Sequence, residues 1–453
     1  MNIIIAGDGK VGSTLARQLA AEKHDITLID SNRHVLNTSM GRMDVMTVHG
    51  NCAAMDTLLE AGVKDADLLI AVTNADEVNL LCCTTAHGIN PKLHTIARIR
   101  NPEYTEQIFA MRDIFALSMA INPEKQAATE IHRLLKYPGF LRRDTFAKGR
   151  TEIVELRIDA GSKLCNVSLI DMPNIVKTKV LVCAVLRDGK ALVSNSGSFV
   201  LREGDRIFVT APTANLSAML RHLGMIPRRA RKVLLCGGGR VSYYLASLLE
   251  KDGISVQILE SDRNRRTELA EILPETSIVC ADATDQTVLE NEGLAACDAL
   301  VSLTGLDELN MIISLYANSR GIPQVITKLG HAENRNIIDS LALGSIVCPK
   351  ELCCSTILRY VRAMQNQTGA AVSLHTIADG QAEAVEFLVD ENTQHCGQTL
   401  KELKLKPNML IASITHGSKT EVPNGNSYFG IGDSVVVVTS GRGVLQQLND
   451  IFA

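Results

Sequence analysis

The chain has 453 residues, with 46 lysines plus arginines against 50 aspartates plus glutamates and a formal net charge of −4. That length implies two to four domains at roughly 100–200 residues each, and the near balance of charge excludes a global electrostatic pull toward nucleic acid or an anionic membrane. Composition is that of an ordinary globular chain, 46% hydrophobic and 21% charged, and the longest apolar runs, DLLIAVT and SVVVVT, fall far short of the roughly 18–20 residues that span a bilayer.

In chain order, MNIIIAG predicts a first strand at 2–6, which breaks at once into GDGKVG, with Gly7, Gly9 and Gly12 spaced G-x-G-x-x-G. No basic stretch followed by a long apolar segment opens the sequence, so a cytoplasmic protein is expected. After the glycines, Val11, Leu15 and Leu19 recur every four residues and fall on one helix face. Strands near 26–30, 45–49, 68–73 and 94–98, separated by helical patterns, predict a parallel doubly wound sheet. From about 139 to 212 the pattern changes to short β-rich pieces, TEIVELRI, VLVCAVLRDGK and GDRIFVT, broken by Asp-Gly and Gly-Asp turns and closed by a helix, TANLSAMLRHLG. This second segment reads as a small α+β domain.

The chain then repeats itself. IIIAGDGKVG returns as VLLCGGGRVS ending at Ser242, and Glu260 answers Asp30 at the same 230-residue offset by which Gly237 answers Gly7. LLIAVTNADEVNLL (68–81) returns as ALVSLTGLDELNMI (299–312), with Thr304 matching Thr73 and Asn310 matching Asn79. The β-rich module also returns, in MLIASITHGSK and IGDSVVVVT, with Gly417 for Gly189 and Asp433 for Asp205. The order A-B-A-B predicts an α/β protein with two Rossmann-like doubly wound parallel-sheet domains, at 1–137 and 229–366, alternating with two small α+β domains, at 138–228 and 367–453. Each A module leads into a helix, KQAATEIHRLLKY (125–137) or ELCCSTILRYVRAMQ (351–365), whose apolar face joins A to B or crosses to a partner subunit. The PRRARK run at 227–232 reads as a solvated basic linker. The twelve cysteines occur singly or as Cys82-Cys83 and Cys353-Cys354, without C-x-x-C spacing, and read as buried reduced thiols with no metal site.

Strand, glycine loop, helix and a terminal acid together form a dinucleotide-binding pattern. Gly7 makes the tight turn, Gly9 admits a pyrophosphate and Gly12 lets the helix close on its strand, while Asp8, Lys10 and Val11 complete the loop at the helix N-terminus. Asp30, 18 residues after Gly12, suits ribose hydroxyls and repels a 2′-phosphate, which favours NAD or an adenosine nucleotide over NADP. Strand-end residues complete the first candidate site: Asn51 and Cys52, Thr73 and Asn74, and Arg98 and Arg100, the last two flanking Ile99 on one face and suited to bidentate phosphate contact. The second candidate site comprises Gly237, Gly239, Arg240, Val241, Glu260, Asp282, Ala283, Thr304 and Lys328. There Ser242 replaces the third glycine, which predicts a wider helix–strand separation and unequal occupancy of the two sites. Asp76 and Glu77, answered by Asp307 and Glu308, read as first-turn helix acids.

No histidine repeats between the halves, and no phosphate-cradling lysine loop, nucleophile elbow or basic helix-turn-helix is visible. No catalytic residue is assigned. The alternative reading, an NAD-dependent oxidoreductase, requires a proton donor or acceptor that the repeated residues do not supply.

GDGKVG with Asp30, AVTNADEVN, ARIRNPEY and the A-B-A-B order together resemble the TrkA family of peripheral regulatory subunits of bacterial potassium uptake, built from tandem RCK (KTN) domains. The resemblance covers essentially the whole chain, and its AVTNADEVN and ARIRNPEY motifs are far more specific than the glycine loop. It implies a cytoplasmic regulator, peripheral on the inner face of the membrane, that self-associates as a homotetramer or dimer of dimers. It further implies docking on a TrkH-like integral-membrane potassium channel or transporter subunit, NAD(H) as ligand with ATP and ADP in some members, and no nucleic-acid partner. The family's nucleotide contacts carry over to Gly7, Gly9, Gly12, Asp30, Asn51, Thr73, Arg98 and Arg100, and its C-terminal lobes are candidate small-ligand or assembly sites.

Overall fold

A computed structural model describes every residue except 137–140, 194–196, 225–229, 331–340, 342, 365–370, 441–444 and 446. The expected domain limits near 137, 228 and 366, residues 227–229 of the basic linker, and Tyr137 and Gln365 at the ends of the two connecting helices therefore lie outside the described residues. By internal contacts the rest divides into two units, Met1–Thr129 with Cys348–Leu358, and Glu130–Val347 with Arg359–Ala453.

The first unit is built on six strands, β1 (Asn2–Ala6), β2 (Asp25–Asp30), β3 (Met46–His49), β4 (Leu68–Ala71), β5 (His94–Arg98) and β6 (Met119–Ile121). All pair in parallel, in the order β3-β2-β1-β4-β5-β6. Helices α1 (Lys10–Ala21), α2 (Arg33–Met40), α3 (Met55–Glu60), α4 (Asp76–Ile89), α5 (Pro102–Ala110) and the start of α6 (Pro123–Lys136) complete it. Because helices cover both faces, β1 and β4 are apolar at nearly every position rather than alternating: Ile3, Ile4, Ile5, Leu68, Leu69 and Ile70 are all buried. Val11, Leu15 and Leu19 turn into this core as their four-residue spacing predicts. Connections run outward in both directions from β1 and β4, so the sheet's switch point, where open α/β sheets bind ligands, lies at their C-terminal ends.

The second unit repeats this sheet. Before it come the strands of the first small domain, β7 (Arg142–Phe146), β8 (Thr151–Arg157), β9 (Leu181–Arg187), β10 (Lys190–Leu192) and β11 (Arg206–Pro212), with helices α7 (Met172–Val176) and α8 (Thr213–His222). The second Rossmann-like sheet has β12 (Lys232–Cys236), β13 (Ser255–Glu260), β14 (Ser277–Cys280), β15 (Ala299–Ser302), β16 (Gln324–Lys328) and β17 (Ser345–Val347), ordered β14-β13-β12-β15-β16-β17. Its helices are α9 (Arg240–Lys251), α10 (Arg263–Ile272), α11 (Gln286–Asn291) and α12 (Asp307–Ser319), and α13 (Pro349–Met364) follows. The second small domain, β18 (Ala371–Ile377), β19 (Ala382–Leu388), β20 (Met409–His416), β21 (Lys419–Glu421) and β22 (Ser434–Thr439), has the same antiparallel strand order as the first.

Within the second unit the two small domains share a core. Phe146, Ile153, Cys183 and Phe208 of one pack with Ile377, Ala384, Val436 and Val438 of the other. Polar contacts across this seam are reciprocal: Arg150 donates to the Gly417 carbonyl, and Gln381 at the equivalent position donates to the Gly189 carbonyl at 2.6 Å. Asp144 and His375, also equivalent positions, meet at 3.0 Å.

Each connecting helix divides between the two units. The second half of α6 docks on the second Rossmann-like domain, where His132 and Lys136 reach Asp252 at 2.8 and 3.0 Å and Gln324 donates to the Leu134 carbonyl at 2.8 Å. The first half of α13 in turn belongs with the first such domain, where Thr356 accepts from Gln126 at 3.1 Å and the Cys354 thiol faces the Val11 carbonyl at 3.9 Å. All twelve cysteines are unpaired, as read from their spacing, but not all are buried: Cys280 is exposed and Cys165, Cys297 and Cys396 are half-buried. Among the described residues no helix is long and apolar enough to cross a membrane.

Candidate nucleotide site

At the end of β1 the chain turns at Gly7, whose φ of 101° is open only to glycine at low cost. A Cβ there would also stand 2.9 Å from the Thr73 amide, so the turn closes against the β4–α4 loop. Gly12 has no room for a side chain, since its Cβ would fall 1.8 Å from the Gly7 carbonyl oxygen. That close approach presses the first turn of α1 against β1. Gly9, the residue before α1, carries no side-chain cap, and the space beside its Cα is open. The first-turn amides of Lys10, Val11 and Gly12 therefore present uncompensated N–H groups and the positive end of the helix dipole to that space, which suits an anion. The Lys10 side chain is exposed, whereas Val11 is buried and contributes its backbone alone.

Asp30, at the end of β2, is held in place from both sides. One carboxylate oxygen accepts from the Asp8 amide at 2.7 Å and the other from the Asn32 amide at 2.8 Å. The second copy reproduces this with a longer acid: Glu260 accepts from the Gly238 and Asp262 amides at 2.6 and 2.8 Å. Each acid keeps further lone pairs for hydroxyl donors. On the next strand end, Asn51 accepts from the Ala53 amide at 3.0 Å, and Asp282 accepts from the Thr284 amide and hydroxyl at 2.9 and 2.8 Å. Those Thr284 bonds, the backbone one first, hold the Asp282 carboxyl below its ordinary range. The adjoining Cys52 and Ala283 are buried in the cores, so only their backbones face the crevice.

Across the switch point, Thr73 and Arg98 are tied together by Asn79, which is fully buried in α4. The Asn79 amide oxygen accepts from the Thr73 amide at 2.9 Å and its hydroxyl at 2.7 Å, while the amide nitrogen donates to the Arg98 carbonyl at 2.8 Å and the Thr73 carbonyl at 3.3 Å. Asn310 repeats all four bonds with Thr304 and Lys328. These two asparagines organise the site without being legible as site residues in the sequence. Their one signal is an asparagine recurring at the same place on the buried face of the helix in both copies.

Arg98 is 8% exposed. One of its terminal nitrogens donates to the Thr73 carbonyl and the Asn74 side chain, and its Nε is buried without an acceptor. Burial, and secondarily the Arg100 charge, lower its pKa, but a guanidinium stays charged regardless. Arg100 donates to the Asn74 carbonyl at 2.6 Å, so both arginines meet the β4–α4 loop as their alternation predicts. Arg100 is also flanked at 3.9 Å by Asp76 and by Glu124. In the second copy the Lys328 ammonium caps the Thr304 carbonyl at 2.6 Å, and Gly330 stands where Arg100 would. Asp76 lies in the first turn of α4 as expected, but it does more: its carboxylate accepts from the Arg100 and Asn101 amides at 2.8 and 2.7 Å.

The third-glycine exception is resolved by its hydroxyl. Ser242 is fully buried and donates to the Gly237 carbonyl, so the second helix stands off far enough to admit a Cβ where the first does not. Arg240, at the start of α9, is exposed, Val241 is buried, and Gly239 leaves the helix uncapped like its counterpart. Arg265, where the first copy has Val35, lies over this loop and donates to the Gly238 carbonyl at 2.9 Å. Among the described residues there is no group of three or more histidines, cysteines and acids fit for a metal ion.

The donor set fits a nucleotide: amides for a pyrophosphate, an oriented acid for a ribose, and a buried guanidinium nitrogen lacking an acceptor. Two Rossmann-like sheets, each followed by a small antiparallel domain, define a tandem RCK architecture. The chain belongs to the TrkA family. Its TrkA-N domain matches residues 3–123 and 233–349, and its TrkA-C domain matches residues 153–224. It is 31% identical over 462 residues to the Trk system potassium uptake protein TrkA of Haemophilus influenzae, covering 100% of this chain and 98% of that protein. To a TrkA homolog of Archaeoglobus fulgidus it is 30% identical over 452 residues, with both chains fully covered. Among solved structures, the GsuK RCK domain aligns with a TM-score of 0.62 at 15% identity, covering 97% of this chain and 92% of the other. The GsuK channel bound to NAD aligns with the same score and identity over 97% of this chain and 77% of the other.

Proposed function

We propose that this chain is the nucleotide-sensing regulatory subunit of a potassium-uptake system. It binds NAD(H) in the first Rossmann-like domain, with ATP and ADP competing for the same loop. It associates with further copies of itself, as a homotetramer or dimer of dimers, on the cytoplasmic face of a TrkH-like membrane channel or transporter. The division into four domains at 137, 228 and 366 belongs to the same reading. Support comes from relatives named for Trk potassium uptake and from solved neighbours of the same fold, the GsuK channel bound to NAD and GsuK bound to ADP.

The observation that carries the ligand assignment is the convergence at one crevice of the uncapped α1 N-terminus, Asp30 and the acceptor-free Nε of Arg98. In this site Asp30 takes ribose hydroxyls, the amides of Lys10 to Gly12 take the pyrophosphate, and Arg98 reaches the groups beyond. A nucleotide biases a gate only through its difference in affinity between two states of the assembly, typically ~1–3 kcal/mol. Arg98 and Arg100 supply such a difference between ATP and ADP, because both donate to carbonyls of the β4–α4 loop, Thr73 and Asn74, which they release when they turn to a phosphate.

The test is calorimetric titration with NADH, NAD, ATP and ADP, scored for affinity and sites per chain. Binding of at least one nucleotide that is weakened tenfold or more by Asp30→Ala supports the assignment. If none of the four binds, the glycine loops are structural and the assignment fails.

A further inference from the structure

The two glycine loops differ at one buried position. Asp8, between Gly7 and Gly9, is 3% exposed, and neither of its carboxylate oxygens has a well-formed hydrogen bond. In the second loop this residue is Gly238, and a Cβ built there would collide with the Leu269 side chain at 2.7 Å. The first-copy residue at the Leu269 position is Ser39, whose hydroxyl is the polar group that eases the Asp8 carboxyl. The pair Asp8/Ser39 in one copy is thus exchanged for Gly238/Leu269 in the other. One loop rests on a buried carboxylic acid and the other on a leucine.

Burial chiefly raises the Asp8 pKa, Ser39 lowers it, and the neighbouring Asp30 carboxylate raises it again. These are the groups that act on it: Asp30 from β2 and Ser39 from α2. Lys10, at the start of α1, extends into solvent, and His49 on the edge strand β3 is bound to the Ser31 carbonyl at 3.0 Å. No cation compensates Asp8 from these elements. An anion arriving at the α1 amides meets a buried negative charge in the same loop, two residues before the helix, when Asp8 is ionised, in surroundings that screen it poorly.

We propose that the first site binds its nucleotide together with a proton on Asp8, so that its affinity depends on pH, whereas the second site, with Gly238, lacks this dependence. The proposal rests on the nucleotide reading of the first loop. By linkage, proton uptake on binding and tighter binding at lower pH are the same fact, and one proton sets a limiting slope of about tenfold in Kd per pH unit. Asp8 thereby discriminates between the two sites and favours the less negative nucleotide at alkaline pH.

The experiment titrates NADH and ADP into the full-length chain carrying Glu260→Ala, which weakens the second site, from the ordinary carboxylate range, about pH 4.5, up to pH 9. Each titration is run in two buffers of different ionisation heat to count protons. The expected result is uptake of a fraction of a proton up to one, and a Kd that rises severalfold or more across the range. Asp8→Asn abolishes both and binds more tightly than the parent at pH 9. The double variant Asp8→Gly with Ser39→Leu reproduces the pair that the second loop already tolerates, and it should give the same flat profile even where Asp8→Asn fails to fold. Binding with no proton uptake and a pH-independent Kd would overturn the role of Asp8 while leaving the nucleotide site intact. No binding of either nucleotide at any pH would overturn the site itself.

Discussion

Replacing Asn79 with alanine tests whether the crevice is built as described. The side chain is fully buried and makes four hydrogen bonds, two from Thr73, one to the Thr73 carbonyl and one to the Arg98 carbonyl. At about 1 kcal/mol net for each bond, and with the Thr73 amide left inside the protein without an acceptor, the expected loss is ~3–4 kcal/mol. The cavity adds little, because few apolar atoms are removed. Urea unfolding followed by circular dichroism, with limited proteolysis to localise the destabilised segment, measures it. Cleavage should move to residues of the first unit, since the bonds Asn79 makes all lie there. NADH affinity of the first site should fall by tenfold or more, because the Thr73 loop and Arg98 lose their common anchor, while Asn310→Ala spares that site. A stability loss below about 1 kcal/mol with unchanged NADH affinity would refute the idea that this asparagine organises the site.

Gly12→Ala places a Cβ 1.8 Å from the Gly7 carbonyl, so it should abolish first-site binding in calorimetry. Ser242→Gly, where the helix already stands off, should change second-site binding less than threefold. Glu130 is a case of pH-dependent stability: burial, then the Asp144 charge, raises its carboxyl to about 7. Its folded pKa exceeds its unfolded one, so the folded protein holds a proton that the unfolded chain has lost. Stability therefore falls as pH rises from about 4.5 to about 7 and is flat above. Glu130→Gln should leave stability unchanged at pH 4 and raise it at pH 8 by up to ~3 kcal/mol, read from urea midpoints. Arg98→Lys keeps a charge but loses the forked geometry. It should weaken ATP more than NADH in the first site, and equal weakening of both would argue against a phosphate role for Arg98.

The sequence by itself determined what depends on short spacing and on repetition. The isoleucines before Gly7, the four-residue recurrence of Val11, Leu15 and Leu19, and the acid at position 30 all report local geometry, in which a strand, a helix face and a turn are fixed by neighbours in the chain. A nearly constant offset of 228 to 231 residues was enough to show the duplication, because two copies of one fold keep their glycines and acids in register. Tertiary structure decided what depends on residues far apart in the chain. The connecting helices exchange between the Rossmann-like domains, since which of two similar apolar surfaces a helix face covers is a matter of long-range packing that its own periodicity does not encode. The anchoring role of Asn79 requires β4, α4 and β5 to converge on one amide. Asp8 looks like a loop residue until Ser39 and Asp30 close around it, and only then does its burial give a carboxylate in this position a cost.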